Sequence, residues 1–469
     1  MISQLSRRHF LMGAAFTAGL PCLSRSSYAL VETSAGSGVS SAHHKLVIEP
    51  VTLDIAPGLR VRTLSYNGQV PGPVLRVREN VPIMIDVANR SGQPEIVHWH
   101  GLRTDVRNDG AMEEGSPMIP DGETLRYRLN PNPAGTRWYH THSMAGDDLT
   151  RGQYSGQFGF LIVEPKHDPA RYDREFLLAV HHWEPYTAPM GMPAQAGQVP
   201  SMSMANVAYH YATINGHCLH AGEPLRVRRG ERVLLRLLNA SATEACTLAL
   251  PGHSFYVIAM DGNPVPNPHA VDSVFLAAAE RIDAIVEMNT PGVWILGSTL
   301  ERERAMGLGV VLEYQDAVGK PQWPDLPATP WDYGAFASAT PAATPDEAIL
   351  LTFKDVGPRN GSKFDTWTIN DQSWPDVDPI EFLKGRRYRL FFQNGSGDPH
   401  PMHLHRHTFE IAQLGERNVS RLMKDVVNVP ALSTVAVDVV ADNPGDSLLH
   451  CHMQLHMDFG FMTMVKYVG

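Results

Sequence analysis

The feature that most restricts the fold of this chain is an internal repeat. The stretch from Leu75 to Asn89 recurs as Leu225 to Asn239 and, shortened, as Phe382 to Asn394. In each copy a charged turn leads into an apolar run that ends on asparagine, and the three asparagines fall 150 and 155 positions apart. A second signal keeps the same phase: Gly135 to His140, Gly292 to Gly297 and Gly445 to His450. A repeat of that length is the size of a whole domain, and the 469 residues are long enough for three. The text between the signals is short β-branched and apolar runs broken by Gly, Pro, Asn and Asp, the mark of all-β structure. The expectation is an all-β chain of three consecutive β-sandwich domains at 45–165, 170–316 and 345–469. The Pro-, Ala- and Thr-rich stretch 317–344 reads as a linker.

The places where the copies differ point to chemistry. His140-Thr141-His142 in the first copy falls on His450-Cys451-His452 in the third, where the second has Gly297-Ser298-Thr299. His407-Thr408-Phe409 matches His253-Ser254-Phe255, but nothing before His253 corresponds to His400, His403 and His405. Candidate metal ligands therefore sit in the first and third copies, and a site between those domains is expected, with the middle one a spacer and a wall. Four segments carry them: His98-Trp99-His100-Gly101, His140-Thr141-His142, His400 to His405, and His450-Cys451-His452 with His456. On a strand, His98 and His100 share one face, whereas Cys451 points opposite to His450 and His452. One thiolate with imidazoles is the donor set of a blue-copper centre, so this last segment could join two metal centres through covalent bonds. A zinc site seldom needs ten imidazoles and a single thiolate.

In order and spacing the four segments resemble those of the three-domain multicopper oxidases of the laccase type, over essentially the whole chain after its N-terminal stretch. The resemblance implies cupredoxin-like Greek-key sandwiches and four copper ions per chain. A type 1 copper would be held by His400, Cys451 and His456, and a type 2 copper by His98 and His403. One type 3 copper would take His100, His140 and His452, the other His142, His405 and His450. It also implies one-electron oxidation of a reductant, electron transfer through Cys451, and reduction of O2 to water. Asp109, in Asn108-Asp109-Gly110, matches the family's acid for proton delivery. Some relatives carry an acid directly after the last ligand histidine; here that place is Met457, and Asp458 on a strand would point elsewhere. The axial position, five after His456, is Phe461 instead of methionine. Without a thioether the oxidised copper is less stabilised and the potential is expected to rise; a slip of one residue would put Met462 there. A high potential suits phenols and aromatic amines. The alternative is a periplasmic Cu(I) oxidase of copper tolerance, drawing on Met190, Met192, Met202 and Met204 in a Gly/Pro-punctuated stretch. The third copy has no long Met/His-rich insertion, which favours phenols.

At the N-terminus, Ser6-Arg7-Arg8-His9-Phe10-Leu11 resembles a twin-arginine export signal. The apolar run Phe10 to Leu20 is too short to span a membrane, and Ser27-Tyr28-Ala29 offers a cleavage site. A folded protein exported to the periplasm or beyond is expected, starting near Leu30. No later stretch is long and apolar enough for a membrane span. A net charge of −10 speaks against nucleic acid or an anionic membrane as partner. Cys22 leaves with the signal, while Cys218 and Cys246 fit either a disulfide or two buried thiols. His181, His182, His210, His217 and His220 read as surface or structural. The expected partners are a small aromatic reductant and O2, with Cu(I) in the alternative. Three domains in one chain close the cluster, so a monomer suffices.

Overall fold

A computed structural model of the protein describes residues 43–167, 171–189, 205–324, 326, 330–359 and 361–469. The expected export signal at 1–29 and Met190, Met192, Met202 and Met204 lie outside the described residues. Within them, each repeat becomes a pair of sheets because its strands bury alternate residues. Ile83–Asn89 alternates buried and half-buried positions along its whole length, and Arg387–Asn394 does nearly the same. Arg232–Asn239 is apolar almost throughout and buried on both faces.

The first pair has two four-stranded sheets. One runs Leu59–Tyr66, His43–Ala56, Ile83–Asn89, Thr124–Leu129; the other runs Leu75–Arg78, Phe158–Glu164, Gly135–Thr141, Val97–His98. The second and third pairs each combine a six-stranded with a five-stranded sheet, and their strand orders are the same, element for element. The repeated asparagines explain part of this likeness. Asn89, Asn239 and Asn394 each accept from the backbone N–H two residues on, at 3.0, 3.0 and 2.9 Å. Each also donates its amide to carbonyls across the following turn. One side chain thereby closes the same corner three times, satisfying backbone groups that a buried turn leaves unpaired.

In the third pair the five-stranded sheet runs Ile380–Phe382, Met462–Tyr467, Ser447–Cys451, His400–Leu404, Val426–Val429. This register sets Met402 opposite Cys451 and His403 opposite His450. In the first pair, His98 faces His140 across the strand pair in the same manner. Within 317–344, Tyr333 and Phe336 are buried in the core, and the Tyr333 hydroxyl donates to Glu280 at 2.6 Å. Cys218 and Cys246 are free buried thiols, which closes the disulfide option. Among the described residues, no helix is long and apolar enough to cross a membrane.

Candidate metal centres

Short strands deliver the histidines, but several sit just past the strand ends. His98 ends Val97–His98, and His100 lies in the turn that follows. His140 is in Gly135–Thr141 with His142 just beyond it. His400 and His403 are in His400–Leu404, with His405 next. His450 and Cys451 end Ser447–Cys451, and His452 follows. The side chains gather into two groups. His400, Cys451 and His456 form one: the Cys451 Sγ is 3.8 Å from His400 Nδ1 and 3.6 Å from His456 Nδ1, which are 3.1 Å from each other. The other eight histidines, all buried, form the second group between the first and third sandwiches. There His405 Nε2 lies 3.1 Å from His450 Nε2, and His140 Nε2 lies 3.4 Å from His100 Nδ1. The rings of His98 and His405 stack at 3.9 Å, as do those of His100 and His403.

Six of these rings and that of His400 are held from behind through their outward-facing nitrogens, His100 by the Asp425 carboxylate at 3.0 Å. His98 Nδ1 donates to the Asp109 carbonyl, His140 Nδ1 to that of Thr141, His403 Nδ1 to that of Asp425 and His450 Nδ1 to that of Cys451. His405 Nδ1 donates to the Asp109 carboxylate at 2.8 Å, and His400 Nε2 meets Ser396 Oγ at 2.8 Å. The inward nitrogens of His98 and His403 and both nitrogens of His142 and His452 are buried without a hydrogen-bond partner. Orphaned buried nitrogens are costly, and rings oriented from behind with a bare nitrogen in front are how proteins prepare metal ligands. Burial and the neighbouring imidazoles hold His100, His140, His142, His403, His405 and His452 well below the usual histidine range. Burial brings His450 and His456 down to about 3. These rings are neutral at pH 7, the form that binds metal. Burial pushes the Cys451 thiol up, so its proton leaves only to a metal. The donor set and its geometry fit copper.

The Asp109 carboxylate accepts from Thr104 Oγ1 at 2.6 Å and lies 3.2 Å from His98 Nδ1. It belongs to the four-residue helix Val106–Asp109, which Gly110 ends at φ 91°. The Phe461 ring packs 4.7 Å from that of His400 and nearly parallel to Trp367, whereas the Met462 side chain packs with Leu448, Met457 and Met464. Asp458 needs a correction. Residues Gln454–Asp458 form a short helix, not a strand, and the carboxylate accepts from the N–H groups of Ala145 and Gly146 at 3.0 and 2.8 Å. It also accepts from the Gln454 amide one helical turn back, at 2.7 Å. These contacts wind the segment and tie it to the loop after His142.

Two further acids escaped the sequence. Glu113 Oε2 lies 4.0 Å from His142 Nδ1, and Glu114 Oε1 lies 3.2 Å from His405 Nδ1 while accepting from Leu448 N–H. Burial raises both carboxyls, Glu114 further because Asp109 is beside it. Their only signal is two adjacent acids shortly after Asp109. Of the unassigned histidines, His181 and His182 are buried and bonded to Ala240 O and Ser241 Oγ. His210 and His220 are exposed, and His217 is half-buried.

Comparison with known proteins agrees with this geometry. Three multicopper oxidase family models match residues 48–168, 186–312 and 343–468. The chain is 30% identical to the multicopper oxidase MmcO of Mycobacterium tuberculosis, covering 90% of this chain and 86% of that protein. It is 25% identical to Laccase-1 of Botryotinia fuckeliana, covering 91% and 82%. It is 23% identical to a copper resistance protein A homolog of Pseudomonas syringae pv. tomato, covering 99% and 100%. Among solved structures, the multi-copper oxidase from Pseudomonas thermotolerans is similar at a TM-score of 0.70 and 26% identity, over 92% of this chain and all of that one. The three sandwiches are cupredoxin-like domains. With two groups of buried copper-type donors on this fold, the chain belongs to the multicopper oxidase family of copper-binding oxidoreductases.

Proposed function

We propose that the chain is a laccase-type oxidase that takes single electrons from phenols and aromatic amines and reduces O2 to water with four copper ions. One observation carries this reading: Cys451 belongs to one donor group while its neighbours His450 and His452 belong to the other. In this reading His400, Cys451 and His456 hold the type 1 ion. His98 and His403 hold the type 2 ion. His100, His140 and His452 hold one type 3 ion, and His142, His405 and His450 the other. The domain limits 45–165, 170–316 and 345–469 go with it. Bound copper supplies one-electron oxidation at the first group and O2 reduction at the second.

The chain's own residues supply the rest. The backbone from Cys451 to His450 and to His452 is an unbroken covalent path, and the hydrogen bond from His450 Nδ1 to the Cys451 carbonyl adds a parallel one at 2.8 Å. Trp367, its ring 4.0 Å from that of His456, helps to keep water from the thiolate. Asp109 orients His98 and His405 and receives a proton from solvent through Thr104. Glu113 and Glu114, their carboxyls raised by burial, stand beside His142 and His405. Phe461 offers no donor atom, which favours a high potential and phenolic substrates. Export in folded form to the periplasm and a monomeric state complete the reading.

The second reading is Cu(I) oxidation in copper tolerance, favoured by the similarity to a copper resistance protein. Aerobic turnover of the copper-loaded protein on 2,6-dimethoxyphenol and on Cu(I), side by side, separates them. The proposal expects phenol oxidation with weak or absent Cu(I) oxidation. Fast Cu(I) oxidation, with phenols turned over only when extra Cu(II) is added, would move the function to copper tolerance. Neither activity at full copper content would sink both.

A further inference from the structure

Among the described residues the middle sandwich contributes no donor to either group, yet it reaches the second. Asp425 lies between Arg417–Lys424 and Val426–Val429 of the third sandwich, with its side chain fully buried. Its Oδ1 accepts from His100 Nε2 at 3.0 Å and from Arg281 Nη1 at 2.6 Å. Its Oδ2 accepts from Arg281 Nη2 at 2.6 Å and from Arg137 Nη1 at 3.3 Å. Arg281, on Arg281–Glu287 of the middle sandwich, is also fully buried. It donates further to the carbonyls of Ala279 and Thr136. Three sandwiches therefore meet on one carboxylate.

His100 is the exception among the six histidines of this group that bond outward. Where His98, His140, His403, His405 and His450 bond outward through Nδ1, His100 bonds outward through Nε2 and turns Nδ1 inward. That reversed ring needs an acceptor behind it, and a buried carboxylate is stable there only when paired. The planar fork of an arginine supplies a bidentate partner with fixed geometry. Space is already committed: a Cβ on Gly101 would come within 2.7 Å of Asp425 Oδ2 and 2.9 Å of Arg281 Nη2.

We propose that Arg281 is a positioning residue for the trinuclear group, fixing Asp425 so that His100 is held with Nδ1 turned to the copper. The proposal rests on the reading of His100 as a copper ligand. Loss of a partner behind a ligand histidine typically costs about 10–100-fold in metal affinity or activity.

The test reads total copper and the fraction visible to electron paramagnetic resonance, because a coupled copper pair is silent and an uncoupled one is not. In Arg281→Met the visible fraction rises and turnover falls about 10–100-fold, while the colour of the thiolate-bound copper is unchanged. Arg281→Lys, which keeps the charge but not the fork, lies between. Asp425→Asn keeps an acceptor for His100 and needs no counter-ion, so adding Arg281→Met to it produces no further rise. This double variant also serves where Arg281→Met alone does not fold, since no carboxylate is left buried with Arg137 as its one remaining cation. An unchanged visible fraction in folded Arg281→Met, or losses that multiply in the double variant, overturns the proposal. A wild-type protein with no silent copper is a different failure, that of the cluster reading itself.

Discussion

His456 shows what burial does to a single candidate ligand. It sits on the short helix Gln454–Asp458 with its ring against Trp367, and burial lowers it to about 3 from an ordinary 6.5. In the copper-free protein the unfolded chain takes up a proton here between pH 6.5 and about 3, and the folded chain does not. Stability therefore falls as pH drops through that window, by up to about 1.4 kcal/mol per pH unit for one such group. Replacing His456→Gln should lower the proton uptake on unfolding at pH 5 by one, as read from the pH dependence of urea midpoints. An unchanged slope would mean that the ring is already charged in the folded state. Phe461 makes a second point at this scale. Its ring fills the space between Phe353, Trp367 and His400. Phe461→Met is nearly volume-conserving, so stability should change by less than about 1.5 kcal/mol. The added thioether should lower the potential of the thiolate-bound copper in a redox titration, and slow the phenols that are hardest to oxidise. A potential that stays or rises would show that Phe461 is not the axial neighbour.

Among the elements, the strand Ser447–Cys451 and the turn after His98 matter most. The turn carries Gly101 at φ 85°, and its missing Cβ leaves room for Asp425, Arg137 and Arg281. Gly101→Ala should therefore destabilise by about 1–3 kcal/mol through overpacking. It should also reduce copper in the histidine group before copper at Cys451, which a colour measurement beside total copper will separate. Equal loss at both would point to general unfolding. These elements also mark how far the sequence speaks. The repeat is legible because one asparagine performs the same corner-closing task in every copy, and the histidine segments because ligands of one site recur at fixed spacing. The period-two rule describes His450 and Cys451 on their strand but not His142, His405 or His452, which lie past strand ends. The helix bearing His456 has no side-chain cap at its start and is held by Asp458 reaching Ala145 and Gly146. Such contacts leave no local signal. Glu113, Glu114, Asp425 and Arg281 are silent for the same reason, since only the tertiary fold brings them to the histidines.

Across the whole molecule, the second and third sandwiches share one topology and a continuous apolar core, while the first has a main core of its own and a smaller apolar cluster shared with the middle one. Buried charges bind the middle sandwich to the third: Lys424 Nζ lies 2.9 Å from Asp261 and 3.1 Å from Glu280. The histidine group lies instead between the first and third. Copper binding there favours only the state in which those two are docked, so it adds stability by mass action. Removing copper with a chelator should lower the melting temperature. It should also raise hydrogen exchange first in Val97–His98 and Gly135–Thr141, before the second and third sandwiches. Uniform exchange across all three would contradict that picture.

The distance along the chain between the two halves of the group also imposes an order in time. Asp109 and His405, whose side chains touch, are 296 positions apart. At a synthesis rate of about 5–20 residues per second, the first half waits roughly 15–60 s on the ribosome for the second. For that interval His98, His100, His140 and His142 lack their four partners from the third sandwich. The two halves of the histidine group thus come together only in the finished chain.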